Sequence, residues 1–344
     1  MATGSGLDAQ IGVAAESTWG TVATPTRFLE FVSESMNMTP EWLEPSALRA
    51  GQKHKRVKRV RQSRRAVGGD IVVEHATLGM GLLWKHALGS PIVTPTQIAS
   101  TTAYEAVISP GDFWGLGLTV QVGRPEPGTG TTRAFTYSGC KVTAWEFSVR
   151  DQETPQLTLT FDGKDESVSV PLAAATYLAG ASVFDFSQAT LRFGGTANRT
   201  AGLTTITGGT AAATIINEIT ISGEAPMATE RFGLGNAGLK AQQIENDIPT
   251  ITGSLGAEFN RTELYDAFSG NVTQAIELEL VGAPIGASGS NERLVITLPA
   301  CKIKGASPQV GGPDIITMSS DFEAYHDETN PPIQVRLVSS GTSL

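Results

Sequence analysis

Strand-like alternation recurs along this chain and constrains its fold more than any other feature. In "AWEFSVRD", Trp145, Phe147 and Val149 fall on one face and Glu146, Ser148 and Arg150 on the other, the pattern of a strand with one dry side. The same period of two runs through residues 69–75, 118–122, 140–150 and 155–163. It returns at 214–223, 275–282, 293–299, 301–305 and 314–324. Helix signals are few. "TLGMGLLWKHALGS" (77–90) sets Leu78, Leu82, Leu83 and Leu88 at near-helical spacing before Gly89, and "NRTELYDAFSGN" (260–271) sets Leu264, Tyr265 and Phe268 before Gly270. With 38 glycines and only 17% charged residues, the composition also favours a mainly β chain.

The order of these elements repeats. "GDIVVEH" (69–75) lies over "GSLGAEF" (253–259), and a short helix ending in Gly follows each. Further on, Cys140-Lys141-Val142 matches Cys301-Lys302-Ile303, and "PQLTLTFDGKDES" answers "PDIITMSSDFEAYHDE". Upstream, "SALRAGQ" (46–52) resembles "AGLKAQQ" (237–243). The reading is an internal duplication: two tandem β-sandwich or barrel domains, each with one short flanking helix. A length of 344 residues suits two domains. The expected limits are an N-terminal arm at 1–25, a first domain at 26–190 with a long basic loop at 49–67, a Gly/Thr/Ala-rich linker or hairpin at 191–213, and a second domain at 214–344. The arm holds too little apolar surface to fold alone. It is expected to lie on a neighbouring subunit, anchored by Ile11, Val13 and Trp19.

Charge is distributed unevenly. "GQKHKRVKRVRQSRR" (51–65) holds Lys53, Lys55, Arg56, Lys58, Arg59, Arg61, Arg64 and Arg65, leaving 17 basic residues against 34 acidic ones elsewhere in a chain of net charge −9. A chain that coats phosphates usually carries excess positive charge over a whole face, and this run has no aromatic to stack bases. A basic segment on an acidic body can instead find its counter-charge on another copy. Candidate partners are Asp162, Asp165 and Glu166 in "FDGKDES" and Asp321 and Glu323 in "DFEAYHDE".

Chemistry-bearing patterns are missing from the sequence. The four histidines form no metal-ligand spacing, the two cysteines stand far apart, and there is no Walker A, GxSxG or CxxC. "FGLGNAG" (232–238) opens no βαβ unit. The expectation is no enzyme, no cofactor and no metal. No signal-peptide pattern opens the chain and no apolar stretch approaches the roughly 20 residues that span a bilayer, so a soluble chain made in a cytosol and free of membranes is expected.

The first ninety residues carry a family resemblance. "GLDAQIGVAAESTWGT", "PTRFLEF", "LRAG" ahead of the Arg-rich run, and "GGDIVVEHATLGMGLLWKHALG" together resemble the tail tube (major tail) proteins of long-tailed, non-contractile bacteriophages. The match covers residues 4–90 well and the rest through the order of elements. The resemblance implies a structural virion protein, assembled in the host cytoplasm, whose rings stack into a tube through which genome DNA passes on ejection without specific binding. It implies strands that join neighbouring subunits and a long loop that reaches an adjacent ring. Tape-measure, tail-tip and terminator proteins would be its other partners. A duplicated chain favours trimeric rings of pseudo-sixfold form, with a hexamer as runner-up. The basic run then reads another ring, and Asp162, Asp165, Glu166, Asp321 and Glu323 would be its partners or, alternatively, line the lumen. Two other classes stay open at this point: a β-rich virion decoration or partner-binding protein, and a nucleic-acid-binding module using residues 51–65.

Overall fold

The computed structural model describes residues 5–91, 93–212 and 214–344; residues 1–4 of the expected arm, Ile92, and Ala213 at the end of the expected linker lie outside the described residues. The first half opens with β1 (Gln10–Ala15), β2 (Arg27–Leu29), β3 (Ser33–Glu34) and β4 (Asn37–Leu43), which lead to the long β5 (Arg61–Glu74) and helix α1 (Gly81–Ala87). It continues through β6 (Thr96–Gln97), β7 (Tyr104–Ile108), β8 (Leu118–Glu126), β9 (Thr131–Arg150), β10 (Gln156–Gly163) and β11 (Asp165–Ser167). The second half begins with β12 (Ala189–Phe193), the hairpin of β13 (Thr196–Thr200) and β14 (Leu203–Thr207), β15 (Thr210–Ala211) and β16 (Ile216–Glu224). After β17 (Met227–Ala228) and β18 (Ile244–Glu245) come β19 (Thr250–Glu258) and helix α2 (Glu263–Ser269). The chain ends with β20 (Thr273–Pro284), β21 (Asn291–Ala306), β22 (Thr317–Ala324) and β23 (Gln334–Ser339). The fold is mainly β, as the alternation requires.

The alternating residues face where the period of two sends them. Trp145, Phe147 and Val149 are buried, as are Leu157, Leu159 and Phe161 on β10. Helix α1 buries Leu83, Trp84 and Ala87 and lies against β9; α2 buries Leu264 and Ala267 and lies against β21. One core cluster runs through both halves.

Strand pairing follows the same order twice. In the first half it is β4–β5–β10–β9–β8–β1. In the second it is β16–β19–β22–β21–β20–β12. Register matches as well as order. Lys141 stands opposite Asp162 and Val142 opposite Phe161; Lys302 stands opposite Glu323 and Ile303 opposite Phe322. Phe161 faces Gly69 across β5, and Phe322 faces Gly253 across β19. A bulge interrupts each Cys-bearing strand just after the Cys-Lys-Val or Cys-Lys-Ile triplet, and a second interrupts its pairing on the other edge just before it. Bulges fix register because the extra residue re-aims every side chain beyond it. The chain's origin by duplication is a proposal to which this shared register lends support.

The halves join through β9. Its N-terminal part pairs with β8, and on the same edge Ala144–Arg150 pairs with Glu218–Glu224 of β16. Arg150 closes that junction with Glu218 at 2.6 Å. A second seam pairs β7 with β23.

Several expectations are corrected. β1 is an interior strand: it pairs with β8 and β2 of its own chain, and Ile11 and Val13 are fully buried there. Four consecutive apolar or small residues fill its burial pattern, which hides the alternation that marks the other strands. The basic loop is shorter than 49–67, because Arg61, Arg64 and Arg65 belong to β5. Of the two readings of 191–213, the hairpin is formed by Thr196–Thr200 with Leu203–Thr207, and β12, which overlaps the start of that stretch, pairs with β20 of the second half. Residues 293–299 and 301–305 form one strand, carried across Pro299 by the bulge.

Candidate assembly surfaces

The basic run occupies the tip of a hairpin. β4 and β5 pair from Asn37–Gly68 out to Leu43–Arg61, and Val57–Arg59 forms a 3-10 turn beyond them. The corresponding β16–β19 ladder stops at Glu224–Thr250 and gives way to the β17–β18 pair, so the β4–β5 ladder runs about four residues further, on the order of 13 Å at the rise of a strand. Part of the run is neutralised at home. Lys55 pairs with Glu44, Arg65 with Asp165 at 3.1 Å, and Arg64 approaches Glu230 while stacking over the Phe232 ring. Among the described residues no carboxylate pairs with Lys53, Arg56, Lys58, Arg59 or Arg61. Trp42, Leu43, Leu48 and Val57 stand exposed beside these cations.

The acidic candidates divide in two. Asp162 is sequestered: Lys240 Nζ lies 2.6 Å from its Oδ1, Gln243 Nε2 donates to its Oδ2, and the Lys240 side chain is 1% exposed. Burial pushes the Asp162 carboxyl up, against the opposing pull of Lys240 and Gln243. Asp165 holds Arg65, and Glu166, half-buried beside it, donates its backbone N–H to Asp165. In the second half Glu323 meets Lys304 at 3.3 Å and accepts from the Tyr325 hydroxyl, while Asp321 is exposed without an ion pair among the described residues. Of the five acids, Asp321 is therefore the most open to an incoming cation, while Glu323, two residues along the same strand, is held by Lys304 and Tyr325.

Trp19, the third expected anchor, points into its own chain. Its indole N–H is shared by Gly139 O and Gln243 Oε1, both at 3.1 Å. Beside it the buried Glu16 carboxylate accepts from Thr119 Oγ1 and from the backbone N–H groups of Gly139 and Gly20. Lys141, also buried, donates to the carbonyls of Phe113 and Gln243; desolvation holds its amine down at about 8. Through Gln243, together with Lys240 on Asp162 and the Arg65 N–H on Gly238 O, residues 238–243 of the second half are clamped across the first. Sequence reasoning missed this clamp. The match of "SALRAGQ" with "AGLKAQQ" contained Lys240 and Gln243, but nothing in it marked them as buried.

The histidines belong to the core. His75 Nε2 accepts from the Trp84 indole at 2.9 Å, and burial lowers the imidazole to about 4; His86, buried on α1, is lowered to about 3. Both cysteines are buried, and desolvation pushes both thiols up. Among the described residues no cluster of His, Cys, Asp or Glu could hold a metal ion, and no helix is long and apolar enough to cross a membrane.

A β-rich chain whose polar groups close strand junctions, with cations gathered on a projecting hairpin, is built as a structural element. The phage tail tube protein family matches residues 6–324, and the chain belongs to that family, as a structural component of a phage tail. No curated protein matches it.

Proposed function

We propose that this protein polymerises into stacked rings of three chains that form the tail tube and conduct genome DNA on ejection, with no catalytic role. The observation that supports three rather than six is the doubled pairing order, joined in one sheet by the β9–β16 junction. Each chain then supplies two of six similar units. Head-to-tail stacking needs complementary faces, because a heterologous contact that does not close propagates as a filament. The projecting hairpin with Lys53, Arg56, Lys58, Arg59 and Arg61 supplies one face, and Asp321 and Glu323 supply acids for the other. A net charge of −9 limits adhesion of phosphates to the conduit. Tape-measure, tip and terminator proteins act with it, and assembly takes place in the host cytoplasm. Electron microscopy of the purified protein tests the proposal: tubes are expected, and discrete particles that never stack would favour a decoration protein.

A further inference from the structure

We infer that Ser33–Thr39 of one copy pairs edge-to-edge with Gly305–Ser307, at and just beyond the end of β21, of the next copy, repeating between chains the β16–β9 junction made within one. This inference rests on the ring assembly proposed above.

The shared register assigns the partners. Val67, Gly68 and Gly69 on β5 correspond to Ile251, Thr252 and Gly253 on β19, since Gly69 and Gly253 face equivalent phenylalanines. Through those strands Asn37, Met38 and Thr39 take the positions of Ser222, Gly223 and Glu224. Ser33 and Glu34, which pair with Val72 and Ile71, take those of Glu218 and Ile219. On the receiving side, Val142 corresponds to Ile303, so Ala144, Trp145 and Glu146 correspond to Gly305, Ala306 and Ser307.

β16 has both edges filled, by β19 and by β9. β3 and β4 have only β5, and their other edge has no strand partner among the described residues. On β9 the edge beyond β8 is taken by β16. On β21 the edge beyond Lys302, where β20 ends, has no strand partner among the described residues. Among the described residues this junction therefore has one open donor edge and one open acceptor edge on each chain. They are the counterparts of the two edges already joined inside it, and unpaired edges are templates for further strands. The predicted pairs are Thr39 with Gly305, Met38 with Ala306 and Asn37 with Ser307. The internal junction has seven pairs and an ion pair; the junction between copies has three. The exposed Trp42 and Leu43, next along β4, lie where they extend the contact.

The test places single cysteines at Asn37→Cys and Ser307→Cys, both exposed, in separate proteins; the native Cys140 and Cys301 are buried. Directly opposed residues on antiparallel strands have Cβ atoms about 4.5–5.5 Å apart, within reach of oxidation or a short bis-maleimide. Mixed assemblies should give a cross-linked dimer joining one of each. A protein carrying both changes should give closed trimers as its largest cross-linked species. Hydrogen exchange on the unmodified protein is the second measurement: amides at 33–39 and 303–307 should exchange at least about tenfold more slowly in tubes than in free subunits. Tubes that form with no Asn37–Ser307 link and no added protection overturn this inference while leaving the ring proposal standing. Unmodified protein that forms no tubes removes the proposal itself.

Discussion

Lys240 and Asp162 form a buried ion pair, 2.6 Å long, although they come from opposite halves of the chain. Gln243 completes the site by donating to both the Asp162 carboxylate and its backbone carbonyl. Lys240→Met strands the carboxylate in a dry setting and should destabilise the protein by about 3–5 kcal/mol in urea unfolding. The double change Lys240→Met with Asp162→Leu removes both charges and should recover much of that loss. A double variant no better than the single one would show that the pair is not what holds residues 238–243 in place.

β1 gives a second prediction. Removing residues 2–8 should leave stability unchanged, since the buried strand begins at Gln10. Ile11→Ala should cost about 2–5 kcal/mol, because the side chain is fully buried between β2 and β8. A stable, soluble Ile11→Ala protein with unchanged melting would return the strand to the role of a detachable arm.

Gly253 is required by contact rather than by backbone angle. A Cβ there would come within 2.2 Å of the Phe322 ring and 2.5 Å of Thr220 O. Gly253→Ala should therefore destabilise by about 1–3 kcal/mol, and Phe322→Ala by about 3–5 kcal/mol. Neutral behaviour of Gly253→Ala in thermal unfolding would contradict the close packing of β19 on β22.

Much of this fold is legible in the sequence, and the reasons for the gaps are physical. The strands around Trp145, Leu157, Ile219 and Leu278 show their period of two because one face is dry and the other wet. Cys140 and Cys301 occupy matched registers because the bulges beside them hold the triplets in place. β1 is hidden because residues 11–14 are buried on both faces, and a short apolar run without alternation reads equally as an arm. The strand character of Arg61, Arg64 and Arg65 is hidden because Arg61–Arg64 are exposed in succession, and the contacts of Arg64 and Arg65 with Phe232 and Asp165 leave no alternation in the sequence. Burial of Lys240 and Lys141 depends on contacts across the halves, which no local pattern records.

Acid should loosen the core through its histidines. Burial holds His75 at about 4 and His86 at about 3, below the usual 6.5. The unfolded chain therefore takes up protons first as pH falls. Stability from the neutral rings is intact above about pH 6.5 and is lost below it, by about 3 kcal/mol for His75 at pH 4. His75→Gln keeps an acceptor for the Trp84 indole and should show a shallower decline in urea midpoint between pH 7 and 5. Identical slopes for the two proteins would exclude His75 as the titrating group.

The hairpin cations should matter to stacking alone. Replacing Arg56, Lys58, Arg59 and Arg61 with Glu should abolish tubes while leaving melting within about 1 kcal/mol, since exposed charges contribute little to folding. Tube growth by the parent should weaken as salt rises, because exposed pairs are screened beyond about 8–10 Å at ordinary ionic strength. Tubes of normal length from the Glu variant, with lost DNA affinity, would favour nucleic-acid binding by residues 51–65.

Counting the chains in one ring of an assembled tube tests the central proposal most directly. Cryo-electron microscopy should show three chains per ring, each contributing two similar β units in a near-sixfold wall. Six chains per ring, with only one unit of each lining the wall, would contradict it.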